Sequence, residues 1–262
     1  MTAKYDRIGE GYNETRKADP YLASRLVEHL NPTVGKKYID LGCGTGNYTI
    51  EVSRYGGHFT GVDPSERMLE IARAKSTRID WKIGQAEDIA LPTNSFDGAM
   101  ATLTLHHWTN LELGFKELSR VLKPQAPVVL FAATAEQMEG YWVRHYFPKM
   151  VADSMKQMPS MHDMTLAMSK AGFVGLTFEP YDVQPDLQDK FLYCGKHNPS
   201  IYFDKDIQRG ISSFSDIANE QEVNEGLKQL ASDIQSGKIK EVMKSYSNRD
   251  GDYIFIVARN GP

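Results

Sequence analysis

The chain has 262 residues, with 30 lysines and arginines against 34 aspartates and glutamates, and two cysteines. The charges are nearly balanced and no tract carries one sign, so a basic groove for nucleic acid is not indicated. Two cysteines are too few for a disulfide framework, and the apolar stretches fall short of the roughly 20 residues of a membrane span. We therefore expect a cytoplasmic protein that binds small molecules, with no nucleic-acid and no membrane partner; its oligomeric state is unknown from sequence.

Strand-like and helix-like periodicities alternate through the first 135 residues. Short apolar runs predict five buried strands, at residues 37–41, 58–63, 80–84, 96–105 and 126–134. Helical spacing predicts helices over 47–55, after an N-cap at Ser65, and over 110–122. Strands that alternate with helices form a parallel sheet covered on both faces, which binds ligands at the carboxyl ends of its strands. The first half is therefore predicted to be a nucleotide-type α/β unit.

The second half follows a different plan. A helix is predicted over 164–171, and strands over 174–183 and 252–260. The roughly 70 residues between these two strands exceed ordinary loop length. They contain a predicted helix that begins after Asn219, ends at Gly237 and carries an apolar stripe along one face. Because a free linker would not need such a stripe, we interpret this insert as a cap over the sheet.

A glycine loop follows the first predicted strand, in the stretch YIDLGCGTGNYT. Gly42, Gly44 and Gly46 would let the backbone approach a ligand closely, and Asp63 ends the next strand 19 residues after Gly44. A carboxylate at that place can accept hydrogen bonds from both hydroxyls of a ribose. The order of strand, glycine loop, helix, strand and acidic residue predicts a nucleotide site.

Charge decides which nucleotide is favoured. Asp40 lies two residues before the first glycine and is directed toward the same crevice as Asp63. A pyrophosphate needs a helix amino terminus clear of competing carboxylates, which disfavours NAD. S-adenosylmethionine carries an ammonium and a sulfonium group instead, and two acidic strand ends suit that cation better.

Five stretches together carry a family resemblance: YIDLGCGTGNYT, GVDPSERMLEIAR, IGQAEDIALPTNSFDGAMATLTLHHW, ELSRVLKPQAPVVLF and SKAGF. They cover residues 38–131 almost continuously. With them the chain resembles the class I S-adenosylmethionine-dependent methyltransferases, in the group often labelled methyltransferase type 11. The resemblance implies a Rossmann-like, doubly wound α/β fold: a mostly parallel seven-stranded sheet with an antiparallel last strand, an amino-terminal helical lid and a cap inserted before the last strand.

The same resemblance implies a single methyltransferase domain over residues 1–262. Its expected parts are a helical lid at 1–35, a cofactor-binding core at 36–135, the remainder of the core at 136–183 and 252–262, and the cap insertion at 184–251. The implied cofactor is S-adenosylmethionine, which leaves as S-adenosylhomocysteine.

Cofactor residues are carried over from the family position by position. Asp40 and the glycine loop would hold the methionine end, which Leu103 would line, while Asp63 would bind the ribose. The stretch from Gln85 to Glu87 would contact the adenine, with Ala86 using its backbone amide; many relatives have aspartate where Gln85 stands, and a glutamine carbonyl can accept the same hydrogen bond. The full predicted set is Tyr12, Arg16, Asp40, Gly42, Cys43, Gly44, Asp63, Pro64, Met68, Gln85, Ala86, Glu87 and Leu103.

The amino-terminal stretch YDRIGEGYNETR resembles the family's lid helix. In the family a tyrosine, and an arginine four residues later, reach the cofactor carboxylate. Tyr12 and Arg16 have that spacing, which places both on one face of a helix. A solvated surface helix is the alternative interpretation.

The stretch LHHW supplies the catalytic candidates. His106 and His107 follow the fourth strand, where a bound methyl group would point, and a neutral imidazole can take a proton from a hydroxyl or amine. We favour His107 slightly over His106; the alternative is that both only shape the pocket. No metal site is expected, because two adjacent histidines lack a third ligand of suitable spacing.

Aromatic stretches after the fifth strand and in the cap are the candidates for the acceptor wall. The predicted substrate residues are His107, Trp108, Trp142, Tyr146, Tyr193 and Lys196. The glycine and cations of CGKH would suit an anionic or phenolic substrate. Aromatic residues at this spacing are also common in a hydrophobic core, which is the competing interpretation.

The predicted function is methyl transfer to an oxygen, nitrogen or carbon nucleophile of a small molecule. Two alternatives remain open: a module that binds S-adenosylmethionine without catalysis, and a methyltransferase acting on a macromolecule. An NAD-dependent oxidoreductase is disfavoured by the glycine spacing and Asp40.

Overall fold

The computed structural model describes residues 15–262. Seven strands form one sheet in this part of the chain. They are β1 (Lys37–Leu41), β2 (His58–Asp63), β3 (Asp80–Ile83), β4 (Gly98–Thr102), β5 (Pro127–Ala132), β6 (Phe173–Tyr181) and β7 (Tyr253–Asn260). The strand order is β3-β2-β1-β4-β5-β7-β6, and β7 runs antiparallel to both of its neighbours. The other six strands are parallel, so the predicted fold class is confirmed.

Ten α-helices surround the sheet in the described residues. They are α1 (Pro20–Leu30), α2 (Asn47–Ser53), α3 (Glu66–Lys75), α4 (Leu111–Val121), α5 (Ala135–Glu139), α6 (Pro148–Met155), α7 (Met161–Lys170), α8 (Lys205–Gly210), α9 (Glu220–Ser236) and α10 (Ile239–Ser245). The Ser65 and Asn110 side chains accept backbone N–H bonds at the starts of α3 and α4. Such caps satisfy donors that a helix leaves unpaired, which is why these starts were predictable.

Helix α1 packs directly on the sheet. Leu22, Leu26 and Leu30 are at most 1% exposed, and the helix contacts β4 and β5. Asp19 caps it, accepting from the backbone N–H of Leu22. Residues 20–30 of the predicted lid at 1–35 are therefore part of a layer that covers the sheet.

The insert between β6 and β7 is folded against the rest of the protein. Its helix α9 begins after the Asn219 cap and ends at Gly237, as the sequence predicts. Leu230 of α9 is fully buried, and Tyr146 donates a 3.0 Å hydrogen bond to Asp233 Oδ2. The two ends of the insert adjoin, because the Asp252 N–H donates to the Tyr181 carbonyl across 2.8 Å.

Candidate active site

Two of the three glycines in the loop between β1 and α2 are needed for different physical reasons. Gly46 has φ of 76°, and a Cβ there would lie 2.4 Å from the indole of Trp81. Gly44 has φ of 53°, but a Cβ there would meet no atom of residues 15–262 within 4 Å. Gly46 is therefore required by packing beneath the loop, whereas Gly44 leaves open space above it, on the side that a ligand would approach.

Asp63 holds the glycine loop in place from the end of β2. Its Oδ2 accepts from the Gly44 N–H at 2.8 Å, and its Oδ1 accepts from the Ser65 N–H at 2.9 Å. Its carboxylate lines a cavity above the loop and is 7% exposed. The residue thus fixes the loop and presents negative charge to any ligand in that cavity.

Asp40 lies beneath the loop and does not line the cavity. The Thr49 hydroxyl donates to its Oδ2 at 2.6 Å, while its buried Oδ1 has no hydrogen-bond partner. Burial raises the pKa of this carboxyl to about 7; the Thr49 hydrogen bond opposes the rise and the nearby charge of Asp63 adds to it. An unsatisfied buried oxygen is costly, so it marks a place where a cationic ligand would be stabilising.

We call the space above the loop the glycine-loop cavity. Its walls come mainly from the carboxyl ends of β1, β2 and β4, where a parallel α/β sheet binds ligands. The lining residues are Arg16, Gly42, Cys43, Gly44, Thr45, Asn47, Tyr48, Asp63, Met68, Thr102, Leu103, Thr104, His107 and Asp189.

A second cavity adjoins the first, and we call it the apolar cavity. Its walls are chiefly aliphatic and aromatic, and two residues, Arg16 and Leu103, line both cavities. The remaining lining residues are His106, Ala133, Met138, Tyr141, Met158, Phe191, Leu192, Ile211, Ser212, Ser213 and Tyr253.

Leu103 lies at the junction of the two cavities in a strained conformation. Its φ is 52°, a region that non-glycine residues rarely occupy, and its N–H donates to the Phe131 carbonyl at 2.7 Å. Strain of this kind costs about 1–3 kcal/mol and collects at functional sites. The two histidines that follow diverge: His107 lines the glycine-loop cavity and His106 the apolar cavity, with ring centroids 3.9 Å apart.

Comparisons with known proteins show similarity to methyltransferases. A family model described as a methyltransferase domain matches residues 39–130. A solved structure of a methyltransferase from an antibiotic biosynthesis pathway of Anabaena variabilis is 29% identical, with a TM-score of 0.83 over 93% of this chain and 98% of that one. Residues 39–130 therefore match a methyltransferase domain, and the chain shares the fold of the class I S-adenosylmethionine-dependent methyltransferases.

Curated relatives match this chain over part of its length. The malonyl-(acyl-carrier protein) O-methyltransferase of Erwinia pyrifoliae is 32% identical over 135 residues, 51% of this chain and 51% of the relative. The demethylmenaquinone methyltransferase of Tropheryma whipplei is 31% identical over 134 residues, 48% of this chain and 56% of the relative. The chain thus spans about half the length of these relatives.

Most of the predicted cofactor residues come together at the glycine-loop cavity. The glycine-loop cavity is lined by Arg16, Gly42, Cys43, Gly44, Asp63, Met68 and Leu103. Tyr12 lies outside the described residues. Pro64 does not line the cavity, and Asp40 acts from below it.

The stretch predicted to contact the adenine lies outside the lining of the cavity. Ala86 is 5% exposed and belongs to a buried hydrophobic cluster. Gln85 forms an isolated β-bridge with Asp88. Glu87 Oε1 accepts from the backbone N–H groups of Thr109 and Asn110 at 2.5 and 2.9 Å. Its carboxylate therefore holds the start of α4, a role that nothing in the local sequence indicated.

The aromatic residues predicted to form the acceptor wall are buried in this structure. Trp142, Tyr146 and Tyr193 are 1%, 3% and 3% exposed and line neither cavity. Trp142 donates from its indole to the Lys196 carbonyl, and Tyr193 stacks on Tyr141 with centroids 4.0 Å apart. The interpretation as acceptor wall is corrected accordingly: Trp142 and Tyr193 pack against other rings, and Tyr146 lines a separate surface cavity and donates to Asp233.

Two further substrate predictions are also corrected. Lys196 donates from Nζ to Asp252 Oδ2 at 2.6 Å and to Asp182 Oδ1 at 2.9 Å, and it lines neither cavity. Trp108 packs on Phe115, with centroids 5.0 Å apart, and is absent from both linings. The rings that do line the apolar cavity belong to Tyr141, Phe191 and Tyr253.

Arg16 is tied to the insert by an ion pair. Its Nε donates to Asp189 Oδ1 at 2.5 Å, and the Tyr48 hydroxyl donates to Asp189 Oδ2 at 3.1 Å. The Asn47 side chain donates to the Arg16 carbonyl, which joins the same segment to the start of α2. The segment before α1, the insert and the glycine loop therefore meet at one buried carboxylate.

Within residues 15–262 no three acidic, histidine or cysteine side chains are grouped as metal ligands. In the same range, no helix combines the length and apolar character of a membrane span.

Proposed function

We propose that this protein transfers the methyl group of S-adenosylmethionine to an oxygen, nitrogen or carbon nucleophile of a small molecule. One observation carries the proposal: the glycine-loop cavity and the apolar cavity share Arg16 and Leu103. A donor held in the first cavity and an acceptor held in the second would meet there. Holding two reactants side by side is the main contribution that a methyltransferase makes to an in-line displacement.

Features of the glycine-loop cavity fit the donor. Gly44 leaves open space for a closely bound ligand, and Asp63 can accept from ribose hydroxyls while it holds the loop. The orphaned oxygen of Asp40 lies beneath the same loop, in a field made more negative by Asp63. A cationic donor would relieve the cost of these carboxylates, whereas a pyrophosphate would increase it.

The donor, when bound, supplies an electrophilic methyl group on a positively charged sulfur. The chain's own residues then position the acceptor, exclude water and receive its proton where one is lost. Leu103 separates the cavities, and apolar side chains such as Met138 and Ile211 would keep water from the acceptor.

The positions of the two histidines indicate which of them could act as the general base. A base must reach the acceptor, and His106 lines the apolar cavity, whereas His107 lines the cavity proposed for the donor. We therefore favour His106 as the base, in place of the slight preference for His107 that the sequence suggested. For an O- or N-acceptor, His106→Asn is expected to lower the single-turnover rate about a hundredfold and to remove the pH dependence that an imidazole base gives to the rate.

His107→Asn is the matched control, since it replaces the adjacent ring. It should change the affinity for S-adenosylhomocysteine more than the rate at saturating donor. A His106→Asn enzyme that keeps both rate and pH profile would leave catalysis to positioning alone.

The relatives differ in acceptor, as their names state: one acts on malonyl-(acyl-carrier protein) and the other on demethylmenaquinone. The acceptor is therefore best sought by experiment. Purified protein incubated with labelled S-adenosylmethionine and a metabolite extract should label a low-molecular-weight product. Titration calorimetry should show binding of S-adenosylhomocysteine and not of NAD; the reverse preference would refute the proposal.

A further inference from the structure

The apolar cavity has a composition that selects among acceptors. We propose that it binds an uncharged, largely apolar acceptor whose ring lies against the aromatic wall formed by Tyr141, Phe191 and Tyr253. This inference rests on the proposed function, since it names the chemical class of the molecule that receives the methyl group.

The aromatic wall is rigid and preorganised. The Phe191 and Tyr253 rings meet edge to face at 4.6 Å between centroids, and Tyr141 is fixed from behind by its stack on Tyr193. The Tyr141 hydroxyl donates to the Asp252 carbonyl, so it is already committed. Rings held this way offer faces and edges that bind a planar apolar ligand with little loss of side-chain entropy.

Arg16 and Lys196 are each paired with a carboxylate of the protein. Arg16 is, in residues 15–262, the one lysine or arginine in the lining, and it is paired with Asp189, whose side chain is 2% exposed. Lys196, which the sequence suggested for an anion, is paired with Asp252, whose side chain is 3% exposed. An anionic acceptor would have to displace a buried carboxylate to gain a partner, which makes it unfavourable.

A cationic acceptor is also disfavoured, because the apolar cavity, within residues 15–262, offers it no carboxylate. Asp189 lines the glycine-loop cavity but not the apolar cavity, and the described lining of the apolar cavity contains no carboxylate. An ammonium group there would have no carboxylate in the described lining to pair with, because Asp189 is already paired with Arg16. Burying an unpaired ion costs far more than burying a neutral hydrogen-bonding group.

Serine hydroxyls provide neutral polar contacts at the same wall. Ser212 and Ser213 line the cavity at the start of a π-helix, Ser213–Ile217, a rare element that often occurs at functional sites. The Ser154 hydroxyl donates to the Met150 carbonyl at 2.8 Å, so the Ser213 hydroxyl, 2.9 Å from Ser154 Oγ, donates to Ser154 and can accept from a ligand. The Ser212 hydroxyl can donate to a ligand oxygen or accept from a ligand hydroxyl. A hydroxyl, carbonyl or ether group on the acceptor fits this arrangement.

The test uses one ring system in three charge states: naphthalene-2-methanol, naphthalene-2-carboxylate and 2-naphthylmethylammonium. Binding of each is measured by calorimetry near neutral pH with S-adenosylhomocysteine at saturation. We expect naphthalene-2-methanol to bind at least about tenfold more tightly than either ion. An ion that binds equally well, or the absence of binding by naphthalene-2-methanol, would overturn the inference.

A charge introduced at the cavity should reverse this preference. Met158 is half-buried in the loop between α6 and α7, where Met158→Lys can add a cation at low folding cost. It should improve carboxylate binding and weaken naphthalene-2-methanol binding. Leu166→Lys is the matched control at an apolar position that is 42% exposed and lines neither cavity.

An unchanged order of affinities in folded Met158→Lys protein would place the probes elsewhere and refute the assignment. The experiment distinguishes a failure of the proposed function from a failure of the proposed acceptor class. If S-adenosylhomocysteine does not bind, the methyltransferase proposal is at fault; if it binds and naphthalene-2-methanol does not, the acceptor class alone is wrong.

Discussion

The glycine-loop cavity takes most of its walls from residues 42–107, whereas the apolar cavity collects side chains from positions as distant as Arg16 and Tyr253. In the first, neighbouring strand ends place Gly44, Asp63 and Leu103 at one edge of the sheet. In the second, the loops after β4 and β5, the insert and β7 must all fold before the wall exists. A site formed by residues close in sequence can be predicted from a motif. A site formed by residues distant in sequence depends on which side chains the tertiary structure directs into the cavity.

The largest expected effect concerns Asp63. Asp63→Asn weakens the hydrogen bonds to the Gly44 and Ser65 N–H groups, because an amide carries one acceptor and no charge. Charge-assisted bonds contribute about 1.5–3 kcal/mol each, so calorimetry should show S-adenosylhomocysteine binding about a hundredfold more weakly.

Asp80→Asn, an exposed carboxylate at the start of β3, should leave that affinity unchanged. Naphthalene-2-methanol should still bind the Asp63→Asn protein within about twofold of wild type, since its cavity is built separately. A parallel loss of both ligands would show that the two cavities are not independent.

Two alanine substitutions in the glycine loop should separate folding from binding. Gly46→Ala places a methyl group against Trp81 at positive φ and should lower the free energy of unfolding by about 3 kcal/mol, measured by urea denaturation. Gly44→Ala meets no atom of residues 15–262, so it should cost only about 1–2 kcal/mol, yet weaken S-adenosylhomocysteine about tenfold. Equal losses of stability would contradict the distinction drawn between the two positions.

Asp40 predicts a pH dependence of donor binding. Its pKa is raised to about 7, so the carboxylate that favours a cation is lost as the pH falls below that value. The dissociation constant should rise toward about tenfold per pH unit on the acidic side. Calorimetry from about pH 8 to about pH 6 tests this, and a flat profile would remove Asp40 from the site.

The Asp40→Asn protein supplies the complementary result. A carboxyl whose pKa is raised by folding destabilises the folded protein increasingly as the pH climbs from its ordinary pKa of 3.8 through about 7. Removing the charge should therefore raise the stability of the ligand-free protein above pH 7 while weakening donor binding. Loss of stability instead would mean that the Thr49 contact outweighs the buried charge.

The smallest effect is expected at Asp189, the carboxylate paired with Arg16, which lines both cavities. In the Asp189→Asn protein the side-chain amide oxygen can still accept the hydrogen bond from the Tyr48 hydroxyl. The substitution removes the negative charge that neutralises Arg16. Naphthalene-2-carboxylate should then bind about fivefold better, while naphthalene-2-methanol changes little. Asp186→Asn, an exposed carboxylate three residues earlier, is the control. No gain for the carboxylate would mean that Arg16 does not face the acceptor.

The contrast between the cavities explains which predictions followed from sequence. The strands, the Ser65 and Asn219 caps and the glycine loop depend on local spacing, and the structure has them where the sequence predicts them. Trp142 and Tyr141 are adjacent, and sequence could not tell that Tyr141 faces the cavity and Trp142 the core. Such choices depend on packing partners that are remote in the chain.

Charged residues show the same limitation. Lys196 resembles a ligand for an anion until folding brings Asp252, 56 residues away, within 2.6 Å of it. Glu87 lies in a stretch associated with adenine, yet its carboxylate is used by backbone groups of Thr109 and Asn110. A side chain's availability is a property of the folded protein, and sequence alone specifies only its charge.

The insert between β6 and β7 leaves and re-enters the sheet at one place, since Tyr181 and Tyr253 are paired across neighbouring strands. An exchange of the whole segment would thus leave the strand register and the glycine loop undisturbed. The insert contributes Phe191, Leu192, Ile211, Ser212 and Ser213 to the apolar cavity. Descendants of such a chain can acquire a new acceptor by replacing this one segment, provided that the replacement keeps a carboxylate at the position of Asp189, which lines the glycine-loop cavity.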